Sequence, residues 1–509
     1  MLFEVVSRHL SDISHLGQTK LGQIKRILVL LFTCALVFLF ALPAVAFTGY
    51  EPGVTDTKEY REIVMLGGKP VVYTGTVKAS SKVKKDITQT TLTYKLTGGS
   101  GESLTRSVKL ESLLATRDKQ DVYETKMVAL TETVQVGSVK LKLKKEGGYY
   151  FSGSKVVDHR PIIDFSTENW YMKKIYEVGK VGYLTVETTG TSEGYANAWG
   201  KGNTRTISMQ IQRTGGGTDI PDWGGSADIV MNDNFGRTLR YVASQPQLIS
   251  YAGGFLDEGR IEESLKINYD LPTVAADGTV DNSGRTSNST TASMTSPPTE
   301  RRLFIAEFKD VRNHWARQAI EAMCGLGVFD NKGSYFGPGY AARRVDLARG
   351  ISVIAELAKE PVKKTTTRKV VAETPMFVDV PAAHPDFKHV QAIAKAGIDL
   401  GESEMVFKPS AQLTRAEAAV ALVSALGLHR LAPSGEYQTS FLDNGDIPLG
   451  AKDSVFIANE IGLMKGDQGY FRPMDTMTRA ELASLLDAFR GYLNRDFKQD
   501  YREHVYSFK

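Results

Sequence analysis

Leu413-Thr-Arg-Ala-Glu417 returns almost unchanged as Met477-Thr-Arg-Ala-Glu481, and a degraded copy, Arg343-Arg-Val-Asp346, stands upstream of both. Thr-x-x-Glu is a capping box: the Thr hydroxyl accepts from a free backbone N–H of the first helical turn, and the Glu carboxylate accepts from the Thr amide. Each box opens an apolar run, as from Ala418 to Leu426, which Gly427 is suited to end in the left-handed conformation. The spacing therefore predicts buried helices starting near residues 344, 415 and 479. The Arg one residue inside each start sits where a helix already favours anions.

Other residues fall into register with those arginines. Phe336-Gly-Pro338, Phe407-Lys-Pro409 and Phe471-Arg-Pro473 each place Pro six residues before the Arg. Phe308-Lys-Asp310, Phe377-Val-Asp379 and Phe441-Leu-Asp443 begin the units, and a further helix ends near Val328, Ile398 or Leu463. Each unit reads as turn, helix, loop, helix, and three stacked units share a core that none buries alone. Their bounds are 303–360, 376–430 and 437–495.

The rest of the chain differs in kind. Ile27 to Leu42 is an apolar run preceded by Lys20, Lys25 and Arg26 and followed by Ala44-Val-Ala46, the three parts of an export signal spanning residues 1–46. An uncleaved anchor is the alternative reading. From about residue 47 to 272 the pattern has period two. Pro70-Val-Val-Tyr-Thr-Gly-Thr-Val-Lys78, Thr90-Thr-Leu-Thr-Tyr-Lys-Leu96 and Val139-Lys-Leu-Lys-Leu-Lys144 alternate polar with apolar between Gly-rich turns. That predicts an all-β region, an antiparallel sandwich or stacked sheets, with short helices only around Ser107–Thr116 and Asn234–Ser244. Residues 273–302, including Thr286-Ser-Asn-Ser-Thr-Thr-Ala-Ser-Met-Thr-Ser-Pro-Pro298, lack periodicity and read as an exposed, flexible linker.

Composition bounds the chemistry. The chain has 42% hydrophobic and 24% charged residues and a net charge of only +4, which suits a globular protein and gives no reason to invoke nucleic acid. Of two cysteines, Cys34 lies in the signal, so the exported chain has one, Cys324, and no internal disulfide. His159 has no second His at metal spacing, and no metal or cofactor is expected. Trp170, Tyr171, Trp199 and Trp223 could form a sugar platform or pack in a core, and Asp86, Asp164, Asp219, Asp222 and Asp228 could supply an acid–base pair or line solvated loops. No catalytic residue stands out.

Residues 304–491 resemble three S-layer homology repeats, on the strength of F-x-D, His314-Trp315-Ala316, F-x-P and T-R-A-E. The resemblance implies a helical pseudo-trimer whose inter-repeat grooves hold a secondary cell-wall polysaccharide carrying pyruvate ketals on peptidoglycan. A guanidinium suits such a carboxylate, since it can grip it bidentately, and a helix start adds N–H donors. Carried over by motif, the ligand residues are Arg415 and Arg479, then Arg344, with Asp310, Asp379 and Asp443 accepting sugar hydroxyls and Trp315 walling one sugar face. The first unit departs from the pattern, with Arg343 for the capping Thr and Asp346 for Glu, which weakens its groove. Pro385 and Gly450 replace the Trp in the later units. The expected protein is exported to a Gram-positive-type cell surface, tethered to wall glycan, and non-catalytic, displaying its β-rich part and free to self-associate in a surface layer. The alternatives are a wall-anchored polysaccharide-active enzyme with its activity in the β-rich part, and an outer-membrane protein.

Overall fold

The computed structural model describes residues 50–496, apart from 57, 100, 138, 179–181, 216–221, 244–252, 275–279, 306, 359–372 and 401–404. The expected signal, residues 1–46, lies outside the described residues.

The alternating sequence folds as an all-β region in which the fifteen strands among the described residues form a single antiparallel sheet. Six strands, from Gly53–Thr55 to Gln120–Val136, pair each with the next. Two short neighbours, Val139–Leu143 and Tyr149–His159, then share the two ends of Gln120–Val136 and both pair with Asp164–Val178. Gly182–Ala196, Gly200–Thr214, Trp223–Val242 and Gly254–Val274 continue the meander, and Val280–Thr295 and Thr299–Phe304 divide the far side of Gly254–Val274.

Period-two patterning does the sorting. In Gly182–Ala196, Leu184, Val186, Thr188 and Ser192 are buried while Tyr183, Thr185, Glu187, Thr189 and Thr191 face outward. Neighbouring strands add Ile207, Ile229, Met231, Leu265 and Ile267 to the inner side. Gly190 is required there, because a Cβ would meet the Trp170 ring at 2.1 Å. Most inner residues of the sheet, from Val54 to Met294, form one apolar cluster. The sheet curls far enough for its first strand to meet Gly254–Val274, where the Thr55 N–H donates to the Glu263 carboxylate. The outer face is largely Thr, Ser, Lys and Glu, with Val72, Val83, Leu113 and Val128 exposed among them.

Three expectations need correction. Ser107–Thr116 and Asn234–Ser244 are not helical: residues 107–116 lie within the strand Ser103–Arg117, and 234–242 lie within Trp223–Val242. The linker assigned to 273–302 is largely sheet, since Val280–Thr295 and Thr299–Phe304 both pair with Gly254–Val274. The strands are also not divided between separate ladders, as stacked sheets would be.

The C-terminal region supplies six helices among the described residues: Arg317–Leu326, Arg344–Ile354, Phe387–Lys395, Arg415–Leu426, Leu449–Glu460 and Arg479–Gly491. The second helix of each unit forms the centre. Just before these helices, three backbone hydrogen bonds close a ring: Ala342 N–H to Met477 C=O, Met477 N–H to Leu413 C=O, and Leu413 N–H to Ala342 C=O, at 2.8, 2.9 and 2.9 Å. The ring is a pseudo-threefold axis written in main chain.

The two regions share a core. Ile163, Tyr195, Trp199, Phe255 and Leu303 of the sheet belong to the apolar cluster of the helices. The Trp199 indole N–H donates to Ile354 C=O at 2.8 Å, and Asn197 Nδ2 donates to Leu493 C=O at 3.1 Å. Arg237 bridges to Glu356 at 2.8 Å and lies 4.2 Å above the Trp199 ring. Gly427, which ends the middle central helix at φ +69°, faces Arg160. The sheet therefore docks where the central helices end, and its arginines lie beside negative helix poles.

Candidate functional site

The starts of the central helices lie at the opposite pole. Both intact boxes form. The Glu417 N–H donates to Thr414 Oγ1 at 3.3 Å and the Thr414 N–H to the Glu417 carboxylate at 2.9 Å; the Glu481–Thr478 distances are 3.2 and 2.7 Å. The first unit keeps half a box. Asp346 accepts from the Arg343 N–H at 3.0 Å, but Arg343 has no acceptor to offer, so the Asp346 N–H donates to Arg343 C=O instead.

Each unit's Arg reaches into the next. Its own N–H and that of the following residue donate to the neighbour's F-x-P loop: Arg344 and Val345 to Ala411 and Pro409, Arg415 and Ala416 to Asp475 and Pro473, Arg479 and Ala480 to Tyr340 and Pro338. The first helical amides are thus spent between repeats. The expectation that they would serve a ligand is corrected; what remains is the positive helix pole and the guanidinium.

The three guanidinium groups differ. Arg344 is 2% exposed, and it donates to Glu417 at 2.7 Å and to Leu400 C=O at 3.3 Å. Arg415 donates to Phe471 C=O at 2.8 Å and Lys465 C=O at 3.1 Å, 5.0 Å from the Phe471 ring centre. Among the described residues Arg479 has no side-chain hydrogen bond; it lies 4.5 Å over Phe336 and 5.1 Å over Phe329, and its Nε is buried without a partner there. Burial lowers the pKa of Arg415 and Arg479 from the usual guanidinium value, yet both stay cationic at neutral pH. Threefold equivalence explains the gradient. Each Arg faces the box acid of the next unit, which is Glu417 for Arg344, Glu481 for Arg415 and the shorter Asp346 for Arg479. Asp346 is held by Arg343. The degraded first box therefore leaves the third unit's Arg open.

Asp310, Asp379 and Asp443 have another task. Each carboxylate accepts two backbone N–H groups of its own unit's loop: Phe336 and Gly337, Phe407 and Lys408, Phe471 and Arg472, all at 2.6–2.9 Å. Against the cost of burial, those donors hold Asp310 and Asp443 below the usual carboxylate range. These bonds shape the loop, and each carboxylate stays half-exposed. Trp315 is 68% exposed, with its ring 5.5 Å from that of His314.

One inter-repeat groove, of about 400 Å3, lies between the first and second units, and the sequence singled out none of its charged lining residues. It is lined by Phe329, Lys332, Arg349, Asp386 and His389 among others, and Arg349 bridges to Asp386 at 2.6 Å. Phe329 joins this groove to the Arg479 stack. No motif marks Arg349 or Asp386, which meet only through inter-repeat packing. Burial pushes His389 down to about 4, so its ring is neutral here. Cys324, also in the lining, is buried with its thiol pushed up to about 12, hence unreactive.

In the sheet, carboxylates do converge, but not those singled out in the sequence. Arg106 grips Glu62 with two bonds of 2.8–2.9 Å and Glu132 at 3.0 Å, and Lys174 holds Glu132 at 2.9 Å and Glu51 at 2.5 Å. The cavity beside them measures about 40 Å3. That holds a water or two and no sugar ring. Asp164 and Asp121 instead flank His159 at 2.7 and 3.2 Å, and Asp228 bonds Ser208. Asp219 lies outside the described residues. Trp170, Trp199 and Trp223 are buried, so they pack rather than form an open platform. Among the described residues no group of three or more His, Cys, Asp or Glu is placed to hold a metal ion, and no helix is long and apolar enough to cross a membrane.

The S-layer homology domain family matches residues 307–348, 377–419 and 451–483. Three S-layer homology domains form the C-terminal region. The chain is 29% identical over 182 residues to the S-layer protein EA1 of Bacillus anthracis, covering 35% of this chain and 19% of that protein. It is 31% identical over 103 residues to the exoglucanase XynX of Acetivibrio thermocellus, covering 20% and 9%. It is 30% identical over 125 residues to an endoglucanase of Bacillus sp. strain KSM-635, covering 24% and 13%. The chain thus spans less than a fifth of the length of these relatives.

Proposed function

We propose that the S-layer homology domains tether this protein non-covalently to a cell-wall polysaccharide bearing carboxylates, pyruvate ketals in particular, and that the β-rich region is a non-catalytic module held outward at the cell surface. The observation that carries this reading is Arg479: a cation stacked on Phe336 and Phe329 with no anion bonded to it among the described residues. An aromatic-backed guanidinium suits a sugar carboxylate, since it offers charge and paired N–H donors where the sugar has an apolar face. Arg415 serves as a second grip once ligand oxygens displace its carbonyl bonds. The polarity of the molecule fits the task. The arginines stand at helix starts, and the sheet docks at helix ends about 18 Å away for a helix the length of Arg479–Gly491.

The test is sedimentation with purified cell walls and with pyruvylated and de-pyruvylated wall polysaccharide. Retention of the wild type that depends on the ketal, and its loss in Arg479→Ala with the fold intact, is the expected result. Equal binding to both polysaccharides would remove the carboxylate from the reading. A second reading, a wall-anchored polysaccharide-active enzyme, draws on the exoglucanase and endoglucanase among the relatives and on the converging Glu51, Glu62 and Glu132. Assay of reducing-sugar release from wall and plant glycans separates the two, and the closed pocket around those carboxylates favours the first.

A further inference from the structure

The first strand, Gly53–Thr55, closes the curled sheet, and acidic groups hold it at both ends. Before it, Tyr50 and Glu51 are buried, and Glu51 enters the pocket with Glu62 and Glu132. Three carboxylates there meet two cations, Arg106 and Lys174. Arg106 takes Glu62 bidentately, and Glu132 bonds both cations, so Glu51, 3.6 Å from Arg106 and bonded to Lys174, is the least compensated. At the strand's last residue, the Thr55 N–H donates to Glu263 at 2.6 Å. Glu263 stands directly opposite Asp233 in the ladder, where like charges repel. Asp233 is held on one side by Arg205, and its Oδ1 is buried without a partner.

We propose that Tyr50–Thr55 is a proton-dependent latch on the sheet's seam, seated by one proton held in the Glu51 cluster and another on Glu263. Among the described residues, the closed Glu51 cluster holds three carboxylates against two cations, and half-buried Glu263 stands opposite Asp233, whose bonded cation is Arg205; charge left under-compensated away from water takes up a proton. Burial, and then Asp233, push Glu263 up to about 7; burial raises Glu51 against Arg106 and Lys174. The groups facing Glu51 are Tyr60 and Glu62, Tyr94, Arg106, Glu132, and Lys174 with Tyr176, from five different strands. Those facing Glu263 are Asp233, Arg205 and Lys201. Both carboxyls are raised on folding. Their contribution is complete below the unfolded value, fades as pH rises, and for Glu263 is gone above about 7.

Hydrogen exchange on the full chain, corrected for the intrinsic pH dependence, tests this. Opening of residues 53–65 should increase from about pH 4.5 to 7, by about tenfold per pH unit for each proton released and so up to about a hundredfold where both groups titrate. The strand Gly182–Ala196 should not follow. The E51Q/E263Q variant, which fixes both groups in their neutral shape, should open equally across that range. A wild-type seam that opens equally at both ends of the range, or more at acid pH, overturns the proposal, as does a rise shared by Gly182–Ala196. If the variant fails to fold, the wild-type profile decides alone.

Discussion

Arg344 and Arg479 occupy equivalent places in equivalent repeats, yet one is spent on the fold and the other is open. Replacing Arg344 with Ala strands Glu417 and empties a buried volume, so we expect a loss of about 3 kcal/mol in unfolding free energy, read by denaturant titration. Arg479→Ala removes no hydrogen bond; it should leave the thermal midpoint nearly unchanged while weakening wall binding by about tenfold or more. The sequence marked all three arginines, because register and helix starts are local. It could not rank them: the ranking depends on which acid the next repeat presents, and on one methylene lost at Asp346. His159 works at the same scale. Asp164 and Asp121 outweigh burial and raise its pKa, so its contribution is complete below the unfolded His value and is lost as pH rises through the folded one. With the side chain 43% exposed, the effect is within about 1 kcal/mol and should vanish in His159→Gln.

At the scale of elements, legibility followed side-chain pattern. Helix starts carried capping signatures and strands with one buried face carried alternation. The Val280–Thr295 strand carried neither. Most of its described side chains are exposed, with Met294 buried and Ala292 packed against the core, so its place rests on main-chain pairing to Gly254–Val274. Backbone hydrogen bonds leave no mark in composition, and a Ser/Thr-rich edge strand reads as a linker. The distinction is measurable. Limited proteolysis should leave residues 286–295 intact under conditions that cut an open Ser/Thr segment, and the two regions should not be released as separate fragments there. The F-x-D acids belong here too. Asp443→Ala frees two N–H groups of the Phe471 loop and should cost about 1–3 kcal/mol, with Arg415 losing the carbonyl it leans on.

For the whole molecule, the sheet and the helical trimer behave as one body because Trp199 is shared between them. Its ring lies between Arg237 and Arg490, at 4.2 and 5.2 Å, and its N–H satisfies the last carbonyl of the Arg344–Ile354 helix. A tether joined to its load by a flexible segment leaves the load's direction free. Here the load caps the helix ends, so the arginine pole and the sheet point in fixed, opposite directions. Trp199→Ala should remove about 3–5 kcal/mol and, more tellingly, split one cooperative melting transition into two. Glycan binding by the helical region should persist, since the Arg479 stack is at the other pole. Calorimetry that still shows a single transition, lowered only in temperature, would mean that Leu303, Phe255 and Ile163 suffice to couple the regions without Trp199.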